Sequence, residues 1–274
     1  MADNAPGPAD AAGIDPDAIS ALADRLADAA RAAILPHFRE AAVDVSSKGL
    51  GGYDPVTQAD RDAEAAMRDI LARDRPADAI VGEEFGAKDG TSGLTWVLDP
   101  IDGTRAFLCG SPTWGVLIAL SRADGPVFGL VDQPYTGERF RGGLGRADLE
   151  GPQGIRPLGV RRGRSLAQAT LATTFPEIGS AEEQAAFARV SKRVQLTRYG
   201  MDCYAYAMLA AGQIDLVIEA GLKPYDIHAP MAVIAAAGGI VTDWRGGPAH
   251  GGGRVLAAAD PALHRQALAL LSDA

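Results

Sequence analysis

Residues 96–107 read WVLDPIDGTRAF. An apolar run ends in two aspartates, Asp99 and Asp102, three positions apart, and a Gly-Thr pair follows at once. The run has the character of a buried strand. Carboxylates this close repel, and a buried carboxylate is costly unless a cation offsets its charge. Pro100 restricts Asp99 to extended backbone, so Asp102 is expected to face back toward the same point. The Ile101 carbonyl is a further hard oxygen ligand. Gly103 and Thr104 open the next turn, where backbone N–H groups can hold an anion. The stretch therefore predicts a cation site and an anion site side by side.

Other acids stand where apolar elements meet loops. Glu83 and Glu84 end the run AIVG, Asp60 starts a helix three residues after Thr57, and Asp226 opens an apolar helix after KPY. Each has a plain structural alternative. Glu84 reads as a solvated strand end, Asp60 as an acid favoured by a helix macrodipole, and Asp226 as an N-cap. With DPIDGT at the centre, the set reads as a cluster of oxygen ligands. No His or Cys is interleaved, which suits Mg²⁺ or Mn²⁺ and not zinc. No DxDxDG-like loop of the Ca²⁺ type is present. Dispersed carboxylates sharing one aspartate suit two or three Mg²⁺ ions.

Composition narrows the partners. The chain has 274 residues, 47% apolar, with a net charge of −9. That length and apolar content can build one large domain or two intimate halves. The acidic balance argues against nucleic acid as a partner. No apolar run is long enough to span a bilayer. Cys109 and Cys203 are the two cysteines. Without a signal peptide they read as reduced thiols in a cytoplasmic protein.

Periodicity supplies the layout. Residues 1–13 read as a disordered tail, 14–145 as an α+β half carrying the metal motifs, and 146–274 as an α/β half. Asp15-Pro16 and Ser180 with Glu183 are helix starts. WGVLIAL and VFGLVDQ, separated by SRADGP, predict an antiparallel hairpin. VSSKGLGGYDPVTQAD, with its glycine-rich centre at 48–53, reads as a loop. RADLEGPQGIRP reads as an exposed connection. Pro230 is expected in the first turns of the helix beginning at PYD, where its missing N–H matters little. His228 and Lys223 receive no role. The expected fold class is α/β, α+β layered, with helix and sheet layers stacked and a cleft between the halves.

DPVTQADRDAE, VGEEFG, WVLDPIDGTRAF and PYDIHAPMAVIAAAGGIVTDW together resemble the inositol monophosphatase family of Mg²⁺-dependent phosphatases, over nearly the whole chain after the tail. The resemblance implies the sugar-phosphatase fold of that family, a homodimer, and two to three Mg²⁺ ions. It implies Glu83, Asp99, Asp102, Asp226 and the Ile101 carbonyl as metal ligands. Thr104 and Asp60 would polarise the attacking water, with Glu83 also catalytic, and Gly103 and Thr104 would hold phosphate through their amides. Many members carry Trp-Asp before the last ligand, whereas this chain has Tyr225-Asp226. YGMDCYAYAMLAAGQIDLVIEAGLKPYD resembles the histidinol-phosphate phosphatase branch. That branch implies a small phosphorylated amino alcohol as substrate, with a polyol phosphate as the alternative. Asp202 and Glu219 are candidate acceptors for the substrate ammonium, and Arg198 is a candidate for phosphate or a partner subunit. Asp202 could equally cap a helix. A catalytically silent binding homologue is the other reading; a metal-free carboxylate hydrolase fails because clustered unpaired carboxylates take up protons instead of staying charged.

Overall fold

Trp96 and Leu98 point to one side of their strand and Val97 to the other, and this alternation sets the order of the layers. The computed structural model describes residues 14–40, 45–47 and 55–272. The expected tail at 1–13 and the glycine-rich loop at 48–53 lie outside the described residues.

The chain begins with α1 (Pro16–Ile34), a short ribbon of β1 (Val45–Ser47) and β2 (Pro55–Thr57), and α2 (Gln58–Asp74). Next come β3 (Ala79–Gly82), β4 (Gly86–Lys88), β5 (Thr95–Asp102), α3 (Thr104–Leu108), β6 (Gly115–Arg122) and β7 (Gly125–Gln133). β8 (Glu138–Gly143), β9 (Arg146–Gly151) and β10 (Gly154–Pro157) complete the first sheet. The second half runs β11 (Thr170–Thr173), α4 (Ala181–Ser191), β12 (Leu196–Tyr199), α5 (Asp202–Ala210), β13 (Leu216–Leu222) and α6 (Pro224–Ala236). It closes with β14 (Ile240–Thr242), β15 (Gly253–Ala258) and α7 (Pro261–Ser272).

An eight-stranded sheet has the order β10-β9-β8-β7-β6-β5-β3-β4, and a five-stranded sheet the order β12-β11-β13-β15-β14. α1 and α2 cover one face of the large sheet through Leu22, Leu26, Met67 and Leu71 against Trp96, Leu98, Ile118 and Leu130. α5 and α6 fill the space between the sheets, where Val97, Leu117 and Val131 meet Tyr206, Ile227, Val233, Val217 and Val255. α4 and α7 cover the far face of the small sheet around Leu216, Leu256 and Trp244. The fold is thus helix, sheet, helix, sheet, helix, which gives an order to the stacked helix and sheet layers expected.

Asp15 caps α1, its Oδ1 accepting from the N–H groups of Asp17 and Ala18 at 3.0 and 3.2 Å. Ser180 and Glu183 form the expected capping box. β6 and β7 pair antiparallel, as the turn SRADGP predicts.

Several expectations give way. RADLEGPQGIRP is not a connection; it forms the hairpin β9–β10 at the edge of the large sheet. β10 is exposed along its length, so no alternation of apolar residues marked it. The change of sheet therefore falls between Pro157 and Thr170. The predicted loop around residue 50 is bounded by a ribbon, with Val45 opposite Thr57. Pro230 lies in the second turn of α6, within the first turns as expected, yet beyond the positions where a missing N–H matters little. An N–H there would have bonded the Asp226 carbonyl, so this interior proline loosens the helix just after its first turn.

Candidate active site

The site is built where β5 ends. β5 pairs with β6 through Asp99 opposite Leu117, and the register shifts before Asp102 meets Gly115. Pro100 lies in that irregularity, where a residue without an N–H is tolerated. The shift turns Asp99 inward and lets Asp102 face the same space. Asp226 arrives from the first turn of α6, where its Oδ2 accepts from the Lys223 N–H at 2.7 Å. Asp226 is thus the third residue of the helix and not its N-cap. Carboxylate oxygens of Asp99, Asp102 and Asp226 lie within 4.8 Å of one another.

This cluster has the electrostatics of a cation site. Burial drives the Asp99 carboxyl well above its usual range, and the negative charges of Glu83, Asp102, Asp226 and Asp60 push it further. Asp102 is raised by burial and by Asp226 and Asp202, and the Cys203 N–H, donating to its Oδ2 at 2.7 Å, offsets part of this. Asp99 Oδ1 is buried with no hydrogen-bond partner among the described residues. An orphaned carboxylate oxygen inside a ring of hard donors fits a divalent cation.

Beyond the carboxylates lies the turn into α3. Gly103 precedes the helix with φ +84°, a left-handed conformation that favours glycine. The Thr104 hydroxyl donates to the Ile101 carbonyl at 3.2 Å. That carbonyl keeps a second lone pair for a metal. Asp60 is buried in the first turn of α2, as its position after Thr57 predicts.

A cleft of about 290 Å³ opens from Asp102, Gly103, Thr104 and Asp226 toward Asp202 and Glu219. Asp202 has φ +46° at the start of α5 and accepts from the Thr113 hydroxyl at 3.2 Å. It is not the N-cap of that helix; Met201 holds that position. Burial lifts the Asp202 carboxyl to about 6 against the pull of Thr113 and Arg105. Glu219, on β13, accepts from the N–H and hydroxyl of Thr174 at 2.6 and 2.9 Å. Burial raises it to about 7 despite those bonds.

The sequence-predicted residues thus converge, with one exception. Arg198 sits exposed on β12 at the edge of the small sheet and does not line the cleft. Lys223 is exposed at the start of α6. His228 is a packed residue, its ring nitrogens 2.8 Å from the Ser121 hydroxyl and the His250 carbonyl. Glu84 is not a solvated strand end: its side chain is 2% exposed and its carboxylate lies 3.7 Å from Arg61.

Three cleft residues escaped sequence reasoning. The Tyr206 hydroxyl is buried with no partner among the described residues. At the mouth, the Arg105 guanidinium lies 4.8 Å from the centre of the Phe175 ring. Arg105 follows the motif directly and could have been found by its charge; Phe175 and Tyr206 are brought in from the second half and carried no local signal.

The sequence profile of the inositol monophosphatase family matches residues 15–274. The chloroplastic bifunctional phosphatase IMPL2 of Arabidopsis thaliana is 43% identical, over 92% of this chain and 74% of that protein. A histidinol-phosphatase of Streptomyces coelicolor is 36% identical, over 92% of this chain and 96% of its own length. The structure of an inositol monophosphatase from Zymomonas mobilis superimposes with a TM-score of 0.83 at 38% identity, covering 94% of this chain and 99% of that one. Among the described residues no helix is long and apolar enough to cross a membrane. Clustered carboxylates at a bulged strand end, a glycine-opened turn beside them and a polar cleft beyond belong, in this chain, to a phosphatase of the inositol monophosphatase family.

Proposed function

We propose that the protein hydrolyses L-histidinol phosphate to L-histidinol and phosphate, using Mg²⁺. The observation that carries this reading is the pair of carboxylates, half-buried Asp202 and buried Glu219, lining the cleft with the metal-site carboxylates. A substrate with a phosphate at one end and an ammonium at the other matches that polarity. Phe175, 41% exposed at the mouth, offers a ring face to an imidazole. The similarity to a histidinol-phosphatase over nearly the full chain supports the same reading.

Glu83, Asp99, Asp102, Asp226 and the Ile101 carbonyl would hold two to three ions, Mg²⁺ or Mn²⁺. Bound there, a divalent cation polarises phosphoryl oxygens and makes water more acidic. The chain supplies the rest. Thr104 and Asp60 orient the attacking water and take its proton. The amides of Gly103 and Thr104 hold the phosphoryl group. Water oxygen bonds to phosphorus as the ester P–O bond breaks, and a proton ends on the departing alkoxide. The motif offers no side-chain nucleophile, so no phosphoenzyme is expected. Asp202 and Glu219 receive the ammonium.

The test is phosphate release from L-histidinol phosphate beside inositol 1-phosphate under one Mg²⁺ concentration. Faster turnover of histidinol phosphate is expected. Much faster turnover of inositol phosphate contradicts the substrate assignment and favours the polyol reading, which the likeness to the Zymomonas mobilis enzyme would then explain.

Glu219 adds a pH signature. Its carboxyl titrates at about 7 and is ionised above that value. An ammonium is therefore bound best at higher pH, and kcat/KM for histidinol phosphate is expected to fall by roughly tenfold as Glu219 protonates between pH 8 and 6. In Glu219→Gln the Glu219 share of that fall disappears, and only the shallower dependence from Asp202 and the substrate imidazole remains. The substrate imidazole titrates equally in both proteins, so an unchanged profile in the variant would sink the assignment.

A further inference from the structure

Glu64 lies one turn after Asp60 on α2, on the same buried face, and has no part in the chemistry proposed above. It is fully enclosed, yet it carries a carboxylate, and three donors converge on it. The Glu84 N–H donates to Oε2 at 2.8 Å and the Phe85 N–H to Oε1 at 3.3 Å. Arg68, a further turn along, donates from Nε to Oε1 at 2.7 Å. Its Nη2 donates to the Gly86 carbonyl, and its guanidinium lies 5.9 Å from the centre of the Phe85 ring. A Cβ on Gly82 would overlap the Glu64 carboxylate, so the residue before Glu83 must be glycine for this grip to close.

Glu64 and Arg68 therefore hold residues 84–86 from below, where the turn from β3 at 83–85 passes into β4 at Gly86. Glu83 begins that turn. β4 is exposed, at the edge of the sheet, and β3 is its partner there. The Glu83 N–H donates to the Leu98 carbonyl at 3.3 Å, and the rest of the turn depends on the side-chain contacts of Glu64 and Arg68 for its position. It also works against repulsion, because Glu83 places a negative charge beside Asp99.

We infer that Glu64 and Arg68 are a positioning pair that fixes Glu83 beside Asp99 and thereby sets the affinity of the carboxylate cluster for a divalent cation. The inference rests on the metal-dependent reading above. Both residues act through the backbone of the turn. Loss of such a supporting contact costs 10- to 100-fold in metal affinity in other metal sites.

The experiment is Mn²⁺ binding, followed by the electron paramagnetic resonance of free Mn²⁺, with unfolding temperatures measured in EDTA. Wild type is compared with Glu64→Gln and Arg68→Met, with Glu83→Gln as the reference for the site. Glu64→Gln is expected to weaken, by roughly 10- to 100-fold, the Mn²⁺ site that Glu83→Gln removes. Its kcat returns toward the wild-type value at saturating Mn²⁺. Arg68→Met, at a side chain 17% exposed, moves affinity the same way by less. Unchanged Mn²⁺ affinity in both variants, with only the unfolding temperature lowered, makes the pair merely structural and overturns the inference. A wild-type protein that binds no Mn²⁺ overturns the metal-dependent reading itself, and the inference with it.

Discussion

Asp99→Asn is expected to lower kcat/KM for the phosphate ester by about a thousandfold, equivalent to roughly 4 kcal/mol of transition-state stabilisation, while the protein stays folded. Asp99 is 1% exposed, and its neighbours Glu83, Asp102, Asp226 and Asp60 all oppose its charge. An asparagine fits the same space, removes one negative charge and loses one hard ligand. The metal-free variant should consequently unfold at a temperature no lower than wild type, and higher by a few degrees where repulsion is relieved. This pairing of lost activity with kept or gained stability is the signature of a site that gives up stability for function. Steady-state kinetics and thermal unfolding in EDTA measure the two halves. Near-normal turnover with excess Mg²⁺ would remove Asp99 from the metal site, and a sharply lower unfolding temperature would make it a structural residue.

Gly103→Ala is expected to cost about a hundredfold in kcat/KM and roughly 1–3 kcal/mol in stability. The φ of +84° already disfavours an alanine, and its Cβ would fall 2.8 Å from Cβ and Cγ of Asp202. Asp202 has little freedom to retreat. Its own φ is +46°, Thr113 holds its carboxylate, and the next residue's N–H is bonded to Asp102. The turn before Thr104 or the start of α5 must move, and both carry groups of the site. Gly93→Ala separates strain from collision, since Gly93 has φ +79° with open space around it. That control should lose some stability and no activity. Equal activity in Gly103→Ala and Gly93→Ala would mean that the turn does not position the site.

The carboxylate half of the cleft was legible because much of it is local. DPIDGT puts two carboxylates, a carbonyl and the glycine-opened turn within six residues, and Asp60 and Asp226 stand at helix starts that their neighbours announce. Residues whose roles depend on distant pairing were not legible. Glu64 could be placed one turn from Asp60, but its partners at 84–86 are set by where β3 lies beside β5 and α2. Glu84 looked like a solvated end for the same reason, because Arg61 covers it from another element. Arg198 is close to Asp202 in sequence, yet the positive φ at Gly200 and Asp202 turns the chain between them, and Arg198 stays on the outer edge. The hairpin at 146–157 was hidden by composition, since its outer strand buries nothing.

The carboxylate cluster is expected to work by holding Mg²⁺ against a phosphate monoester. The most direct test is phosphate release from L-histidinol phosphate by the purified protein, measured with Mg²⁺, after chelation with EDTA, and after Mg²⁺ is restored. Release that stops on chelation and returns with Mg²⁺ is the predicted result, and release that survives complete chelation would contradict it.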